Sequence, residues 1–282
     1  KLRYNNNFSA ANRYLFYFQP CQLINPLILT MFNFFRKKRT EGNIYSSLPV
    51  STDIHSHLLP GIDDGSPDVE NSVELIQGLF DLGIRKFIAT PHIIGDLYRN
   101  TPETINTALE ETKAACKNAG LDIELSAAAE YMIDDYFLDL LRNRSPLLTL
   151  HKNILLTEIS YSTPPVNLEA ITAAIFAGGY KPVLAHPERY HFYHNNPNVY
   201  QHLKEMGFHL QVNLLSLIGY YGKDVRKAAK FIIEKDLASL VGTDLHHKYH
   251  LAALKDPKNR ELLHQLLGNK TYNDLESLAN QK

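Results

Sequence analysis

From Leu48 onward the chain alternates short β-type runs with longer amphipathic helix-type runs, and few folds accept that pattern. Val50–His55 reads as the first strand. Ser66-Pro67-Asp68 then offers an N-cap and a proline at the first helical position. Val69, Val73, Ile76 and Phe80 follow at helical spacing, and Gly83 closes the helix. Lys86–Thr90 is the second strand, and Thr101-Pro102 opens a helix that ends at Gly120. Ile123–Ala128 and Ile154–Ile159 are the third and fourth strands. A helix with Leu168, Ile171 and Ile175 on one face stops at Gly178-Gly179. Pro182–Ala185, Phe208–Val212 and Ser239–Gly242 make seven strands, with a helix near Val225–Glu234 and a helical tail over 256–280. Strands that alternate with helices imply an α/β fold with a parallel sheet, open or closed into a barrel. No GxGxxG or GxxxxGK loop follows any strand, which removes the common nucleotide-binding readings.

Residues 48–282 therefore read as one domain. Residues 1–47 read as an N-terminal extension, disordered or the product of a mis-set start, with Met31 opening a natural start in MFNFFRKKR. Tyr14 to Phe35 is the most apolar stretch, but Gln19, Pro20, Gln22, Asn25 and Pro26 interrupt it, so no stable membrane insertion is expected. The basic cluster Arg36, Lys37, Lys38, Arg39 follows that stretch, the reverse of a secretory signal, and a cytoplasmic location is expected. A formal net charge of -1 lacks the basic excess of a nucleic-acid binder. Two cysteines cannot build a disulfide framework. Six positions beyond Cys21 and Cys116 stand Leu27 and Asp122, not arginine, so the thiolate phosphatase loop is absent. Cys116 shares a helical face with Ile105, Leu109 and Thr112, the position of a small buried residue.

The decisive pattern lies at the strand ends. Strand one ends in His55-Ser56-His57, strand two in Thr90-Pro91-His92, strand three in Ala129-Glu130 and strand four in Thr157-Glu158. Strand five ends in Ala185-His186-Pro187 and strand seven in Thr243-Asp244-Leu245-His246; strand six ends at Asn213, without an ionisable group. Asp64 adds a candidate in the loop after strand one, although Asp63-Asp64-Gly65 is ordinary turn chemistry. In α/β barrels the C-terminal strand ends converge on one face, so these distant residues would share one small volume. Residues i and i+2 of a strand point the same way, so His55 with His57 can grip one ion, and Asp244 with His246 repeats the arrangement. Imidazole mixed with carboxylate suits Zn, Mn or Fe, and a carboxylate such as Glu130 can bridge two ions. His191, His194, His202 and His209 fit no such pattern and read as ordinary surface or core side chains.

The strings DIHSHLLPGIDDG (53–65), ATPH (89–92), AAEYMID (128–134), LLTEIS (155–160), VLAHPERY (183–190) and GTDLHH (242–247) resemble the polymerase-and-histidinol-phosphatase (PHP) superfamily. They are most similar to its bacterial tyrosine-protein phosphatases of capsule and exopolysaccharide synthesis. The resemblance implies a distorted seven-stranded, TIM-barrel-like (β/α) barrel with three divalent ions, commonly Mn²⁺, with Fe or Zn as alternatives. By it, His55, His57, Glu130 and Asp244 hold the first ion, and Glu130 bridges to a second bound also by Glu158 and His186. Asp64, His92 and His246 hold the third. Arg189 matches a family arginine that binds the substrate phosphate. A second arginine that some members carry after the last metal motif is missing here, where the chain reads His247-Lys248-Tyr249-His250. Lys248 would replace its charge but not its planar fork.

The implied activity is hydrolysis of phosphotyrosine by direct attack of metal-activated water, without a covalent phosphoenzyme. Arg189 and the metals neutralise the equatorial oxygens, and His246 or a metal-held water protonates the leaving group. The implied substrate is a phosphotyrosine protein, a bacterial tyrosine autokinase of capsule or exopolysaccharide synthesis. Histidinol phosphate or another small phosphomonoester is the alternative within the superfamily, and a non-catalytic kinase-binding scaffold the alternative of another class. The sequence leaves the oligomeric state open.

Overall fold

A strand buried on both faces tends to a near-continuous apolar run, and one strand of this chain keeps close to that pattern. In the computed structural model, which describes residues 45–268 and 270–281, Ile154–Glu158 is buried at every position. Nine strands occur among the described residues: β1 (Thr52–Asp53), β2 (Lys86–Ala89), β3 (His92–Ile93), β4 (Glu124–Ala127), β5 (Glu130–Met132), β6 (Ile154–Glu158), β7 (Lys181–Ala185), β8 (His209–Asn213) and β9 (Ala238–Gly242). They form two parallel sheets, in the orders β1-β2-β4 and β3-β5-β6-β7-β8-β9.

The α/β fold with parallel strands is as expected, but the seven expected strands are not seen as one closed ladder. Expected strands two and three are found as β2 and β4, each followed at once by an additional short strand, β3 and β5. Pro91 has no N–H to donate to a ladder, so the pairing of the two strands is interrupted beside it and resumes at His92 and Glu130. The ends of the two sheets meet where Ser56 and Leu245 form a parallel bridge and Asp244 N donates to His55 O at 2.7 Å. Alternate side chains feed two cores. Leu155, Leu184, Leu210 and Val241 join the large core that also holds Leu75, Leu79 and Ile232. Ile54, Ile88, Leu156, Val183, Ala185 and Leu240, drawn from both sheets, form a second core with Leu275 and Leu278.

Helices α1 (Val69–Asp81) and α2 (Pro102–Asn118) open on side-chain caps. At α2 Thr101 and Thr104 form a reciprocal capping box with Pro102 in the first turn, as expected. At α1 the cap is Asp68, which accepts from Asn71 N at 2.8 Å, and not Ser66. The buried stripe of α1 is also rotated: Ser72, Leu75, Ile76 and Leu79 are buried, while Val69, Val73 and Phe80 are half-buried. Phe80 is instead covered by the Arg85 guanidinium, 3.9 Å from its ring centre.

The chain continues with α3 (Asp135–Arg142), α4 (Leu168–Ala177), α5 (Asn198–Glu205), α6 (Leu214–Leu217), α7 (Lys223–Glu234), α8 (Lys248–Lys255), α9 (Pro257–Leu267) and α10 (Leu275–Asn280). Four of these, α3, α5, α6 and α8, were not anticipated; each is eight residues or fewer, too short for a helical period to stand out. The expectations for residues 1–44 lie outside the described residues. Tyr45 and Ser47, assigned to the extension, pack on the domain. Tyr45 stacks on His264 at 4.0 Å, Arg260 Nε donates to Tyr45 O, and His264 Nε2 donates to Ser47 O. Among the described residues no helix is long and apolar enough to cross a membrane.

Candidate metal centre

Six of the nine predicted ligands sit where a strand ends or just beyond, His92 and Glu130 open the short strands β3 and β5, Asp64 lies in the loop after β1, and the fold brings all nine into one neighbourhood. His55 and His57 follow β1, and their Nε2 atoms lie 3.2 and 3.4 Å from Glu130 Oε2. The same two nitrogens lie 3.5 and 3.4 Å from Asp244 Oδ1. His92 Nδ1 lies 3.2 Å from Glu130 Oε2 and 2.8 Å from Glu158 Oε1. His186 Nε2 lies 3.0 Å from the other oxygen of Glu130. Asp64 Oδ1 stands 3.5 Å from both His92 Nε2 and His246 Nε2.

Three sets have ligand atoms close enough to share an ion: His55, His57, Glu130; His92, Glu130, Glu158; and His57, Asp64, His92, His246. The grouping differs in part from the expected one. His92 belongs to two sets and His57 joins the third, while His186 stands against Glu130 and not Glu158.

Backbone shape helps. His186 and Asp244 have φ of 35° and 50°, the left-handed region, which costs a non-glycine residue about 1–2 kcal/mol and is tolerated best by Asp, Asn and His. There the chain turns sharply off β7 and β9. Glycine is required where the backbone closes on the two first histidines. A Cβ at Gly65 would lie 2.2 Å from His57 O, and one at Gly242 would lie 2.7 Å from His55 Cβ.

The imidazoles are aimed by partners behind them. Asp244 Oδ2, a carboxylate oxygen, must accept from Asn213 Nδ2 at 2.7 Å. Asn213 Oδ1 then accepts from Gln211 Nε2 at 2.9 Å, so Gln211 Oε1 accepts from His55 Nδ1–H at 2.8 Å. The chain of amides thus fixes the His55 tautomer and leaves the Nε2 lone pair facing inward. Asp63 does the same for His57, accepting from Nδ1 at 2.7 Å. The carbonyl of Asp244 accepts from His246 Nδ1 at 2.9 Å.

This geometry tests whether the residues fit metal ions. His55 Nε2, His57 Nε2, His92 Nδ1, Glu130 Oε2 and Glu158 Oε1 are buried without a hydrogen-bond partner. Buried polar atoms without partners are costly, so five of them facing one volume need a common ligand. Divalent cations satisfy both donor types. The protonation balance agrees. Burial opposes charge on His55 and His57, yet Glu130 and Asp244 around His55, and Asp63 beside His57, hold both imidazoles above their usual range. Burial and His57 oppose charge on His92, but Glu130 and Glu158 raise it to about 9. Burial pushes Glu158 up, while the cationic imidazoles, His55 first, hold Glu130 well down despite its burial. A cluster that collects protons to balance its carboxylates is one where cations bind by displacing them.

Residues 51–277 match the family described as capsular polysaccharide synthesis, CpsB/CapC. The chain belongs to that family. It is 30% identical over 195 residues to the tyrosine-protein phosphatase YwqE of Bacillus subtilis, covering 69% of this chain and 77% of that protein. It is 28% identical over 201 residues to the tyrosine-protein phosphatase CpsB of Streptococcus pneumoniae, covering 69% of this chain and 82% of the relative. A chain from crystal structures of YwqE and CpsB, described as unique metal-dependent tyrosine phosphatases, superposes with a TM-score of 0.66 at 28% identity. That superposition covers 79% of this chain and 96% of the solved one.

In this CpsB/CapC chain Arg189 sits beside the centre, in a short turn (Pro187–Arg189), with its guanidinium 2.6 Å from Asp244 Oδ2. Lys248 is exposed at the start of α8, its ammonium 5.7 Å from the Tyr249 ring centre. Asp63, Gln211 and Asn213 were missed as functional residues. Asp63 reads locally as a turn residue, and β8 carries no ionisable group at its end. The one available signal was that Gln211 and Asn213 share the i, i+2 face of the strand that reaches the same end of the sheet. His191 and His202 are exposed and His194 and His209 half-buried, none of them in the cluster.

Proposed function

We propose that this chain is a metal-dependent protein-tyrosine phosphatase that hydrolyses phosphotyrosine directly, at a trinuclear centre at the C-terminal ends of a distorted barrel. The observation that carries the reading is the set of five partnerless buried nitrogens and oxygens beside an arginine with free donors. His55, His57, Glu130 and Asp244 would hold one ion, Glu130, Glu158 and His186 a second, and Asp64, His92 and His246 a third, with His92 and His57 near enough to be shared. The mixed nitrogen and oxygen set suits Mn, Fe or Zn, and the family resemblance favours Mn²⁺ among them. Ions held there would supply Lewis acidity, polarising the phosphate and acidifying water.

The protein's own groups do the rest. Arg189 has five N–H donors and commits one to Asp244, so its free edge can take two phosphate oxygens. Asp244 anchors that guanidinium through an oxygen that also accepts from Asn213. His246 lies at the opening with its Nε2 3.5 Å from Asp64; that nitrogen would protonate the leaving phenolate only when it is not holding the third ion, and otherwise the proton would come from metal-held water. A phenolate with an unperturbed pKa near ~10 needs only modest help. The substrate on this reading is a tyrosine-phosphorylated kinase of capsule or exopolysaccharide synthesis, in the cytoplasm where ATP-driven phosphorylation occurs. The membership of the family and the named activities of YwqE and CpsB support it.

The test is hydrolysis of a phosphotyrosine peptide, histidinol phosphate and a phosphoserine peptide, before chelation, after it, and after adding back Mn²⁺. We expect the phosphotyrosine peptide to lead, activity to vanish on chelation, and Mn²⁺ to restore it. Full activity in metal-free protein, or a lead for histidinol phosphate, would overturn the proposal.

A further inference from the structure

Tyrosine rings stand beside several of the charged groups of the centre. Tyr98 lies parallel to the His92 imidazole, at 5.9 Å and 14°. Tyr161 lies nearly parallel to His186, at 5.8 Å and 19°, with its hydroxyl 3.4 Å from His186 Nδ1. The Arg189 guanidinium carbon stands 5.0 Å from the Tyr161 ring centre and 4.4 Å from that of Tyr221, a ring on either contact. Arg189 is thereby held by two aromatic rings as well as by Asp244. Lys248, the other cation expected to serve the phosphate, is exposed, with its ammonium 5.7 Å from the Tyr249 ring centre.

These rings differ in what they have left to offer. Tyr221 is half-buried and packed edge-on against Tyr220 and His250. Tyr161 is 39% exposed, in the turn after Glu158, although its ring already touches a predicted metal ligand and the phosphate arginine. Exposure alone does not set Tyr161 apart, since Tyr249 is 66% exposed; its contacts with His186 and Arg189 do. Phosphate held at Arg189 would place its ester group next to this ring. An alkyl ester offers the ring little area, whereas an aryl ester offers a second ring to pack against.

We propose that Tyr161 is the residue that selects aryl over alkyl phosphate esters at this centre, its ring packing against the ring of the substrate. The inference rests on the proposed phosphatase function and deepens it. Tyr161 acts on the substrate's ring, not on the phosphorus, so its removal should change preference more than chemistry. An aromatic pair contributes enough to shift preference about three- to tenfold.

The test uses full-length, Mn²⁺-loaded protein with Tyr161→Leu, which keeps bulk without a ring, and Tyr161→Phe, which keeps the ring without the hydroxyl. One readout is the ratio of kcat/KM for a phosphotyrosine peptide to that for the phosphoserine peptide of the same sequence. A second is equilibrium binding of benzylphosphonate against ethylphosphonate, which cannot be hydrolysed. Metal content is measured on every sample, since loss of the hydroxyl beside His186 could loosen an ion. We expect Tyr161→Leu to lower both the kinetic ratio and the binding preference about three- to tenfold, mainly through KM, and Tyr161→Phe to restore them. Unchanged preferences in Tyr161→Leu, with the wild type active on phosphotyrosine, overturn this inference alone. Equal losses on both peptides overturn it too, because they mark a ring that only positions Arg189. A metal-loaded wild type that hydrolyses neither peptide defeats the phosphatase reading itself, and this inference with it.

Discussion

The two ends of β6 carry the same chemistry with opposite consequences. At its N-terminal end His151 Nε2 lies 2.7 Å from Glu276 Oε2; at its C-terminal end His92 Nδ1 lies 2.8 Å from Glu158 Oε1. Residue types and distances are the same, so neither can be what makes a site. Solvent and direction differ. The His151 pair is 38% and 58% exposed and makes an aligned hydrogen bond, and Glu276 also takes Lys152 and Asn280. Every polar atom there is paired or wet, the ordinary state of a surface ion pair, which contributes little. The His92 pair is 12% and 1% exposed, and neither atom finds an aligned partner. A histidine beside a carboxylate is a surface detail at one end and an unsatisfied ligand set at the other.

The sharpest way to break this contrast is to remove one carboxylate from each end. Glu130→Gln should strip bound metal and lower phosphatase turnover by more than about 10²-fold, since even groups behind metal ligands matter by 10- to 100-fold. Glu276→Gln should leave metal content and turnover as they were. Metal analysis and kinetics on the same samples decide it, and equal effects at both ends would remove the case for a centre. Arg189→Ala comes next. It should keep its metals and lose about 10²-fold in kcat on a phosphotyrosine peptide, the scale of one preorganised donor. Arg189→Lys should recover only part, because a point charge lacks the fork. Wild-type kinetics in Arg189→Ala would make that arginine a mere partner of Asp244.

The smallest effect belongs to the cysteine. Cys116 lies buried on α2 among Ile105, Leu109 and Thr112, within the core. Cys116→Ser and thiol alkylation should leave turnover within about tenfold of wild type, roughly 1.4 kcal/mol in the barrier. A larger loss in a folded variant would point to thiolate chemistry and against the carboxylate–imidazole centre.

Much of the centre was legible because its evidence is local. A ligand-type residue just past an apolar run reports a strand end by itself, and an extended chain at His55 and His57 turns both the same way. The strand–helix alternation and the capping box at Thr101 were readable for the same reason. The rotated face of α1 was not: Val69, Val73, Ile76 and Phe80 have a valid helical period, as do Leu75, Ile76 and Leu79, and packing chose between them.

By itself, then, the sequence determined which side chains stand at which strand ends, because strand geometry acts over a few residues. Only the tertiary structure decided how those side chains are aimed. Gln211 turns His55 across 156 positions of sequence, and Asn213 holds Asp244 across 31. Tyr161 meets His186 across 25. Hydrogen bonds and ring contacts of that kind depend on directions in space, and no spacing along the chain records a direction between distant elements.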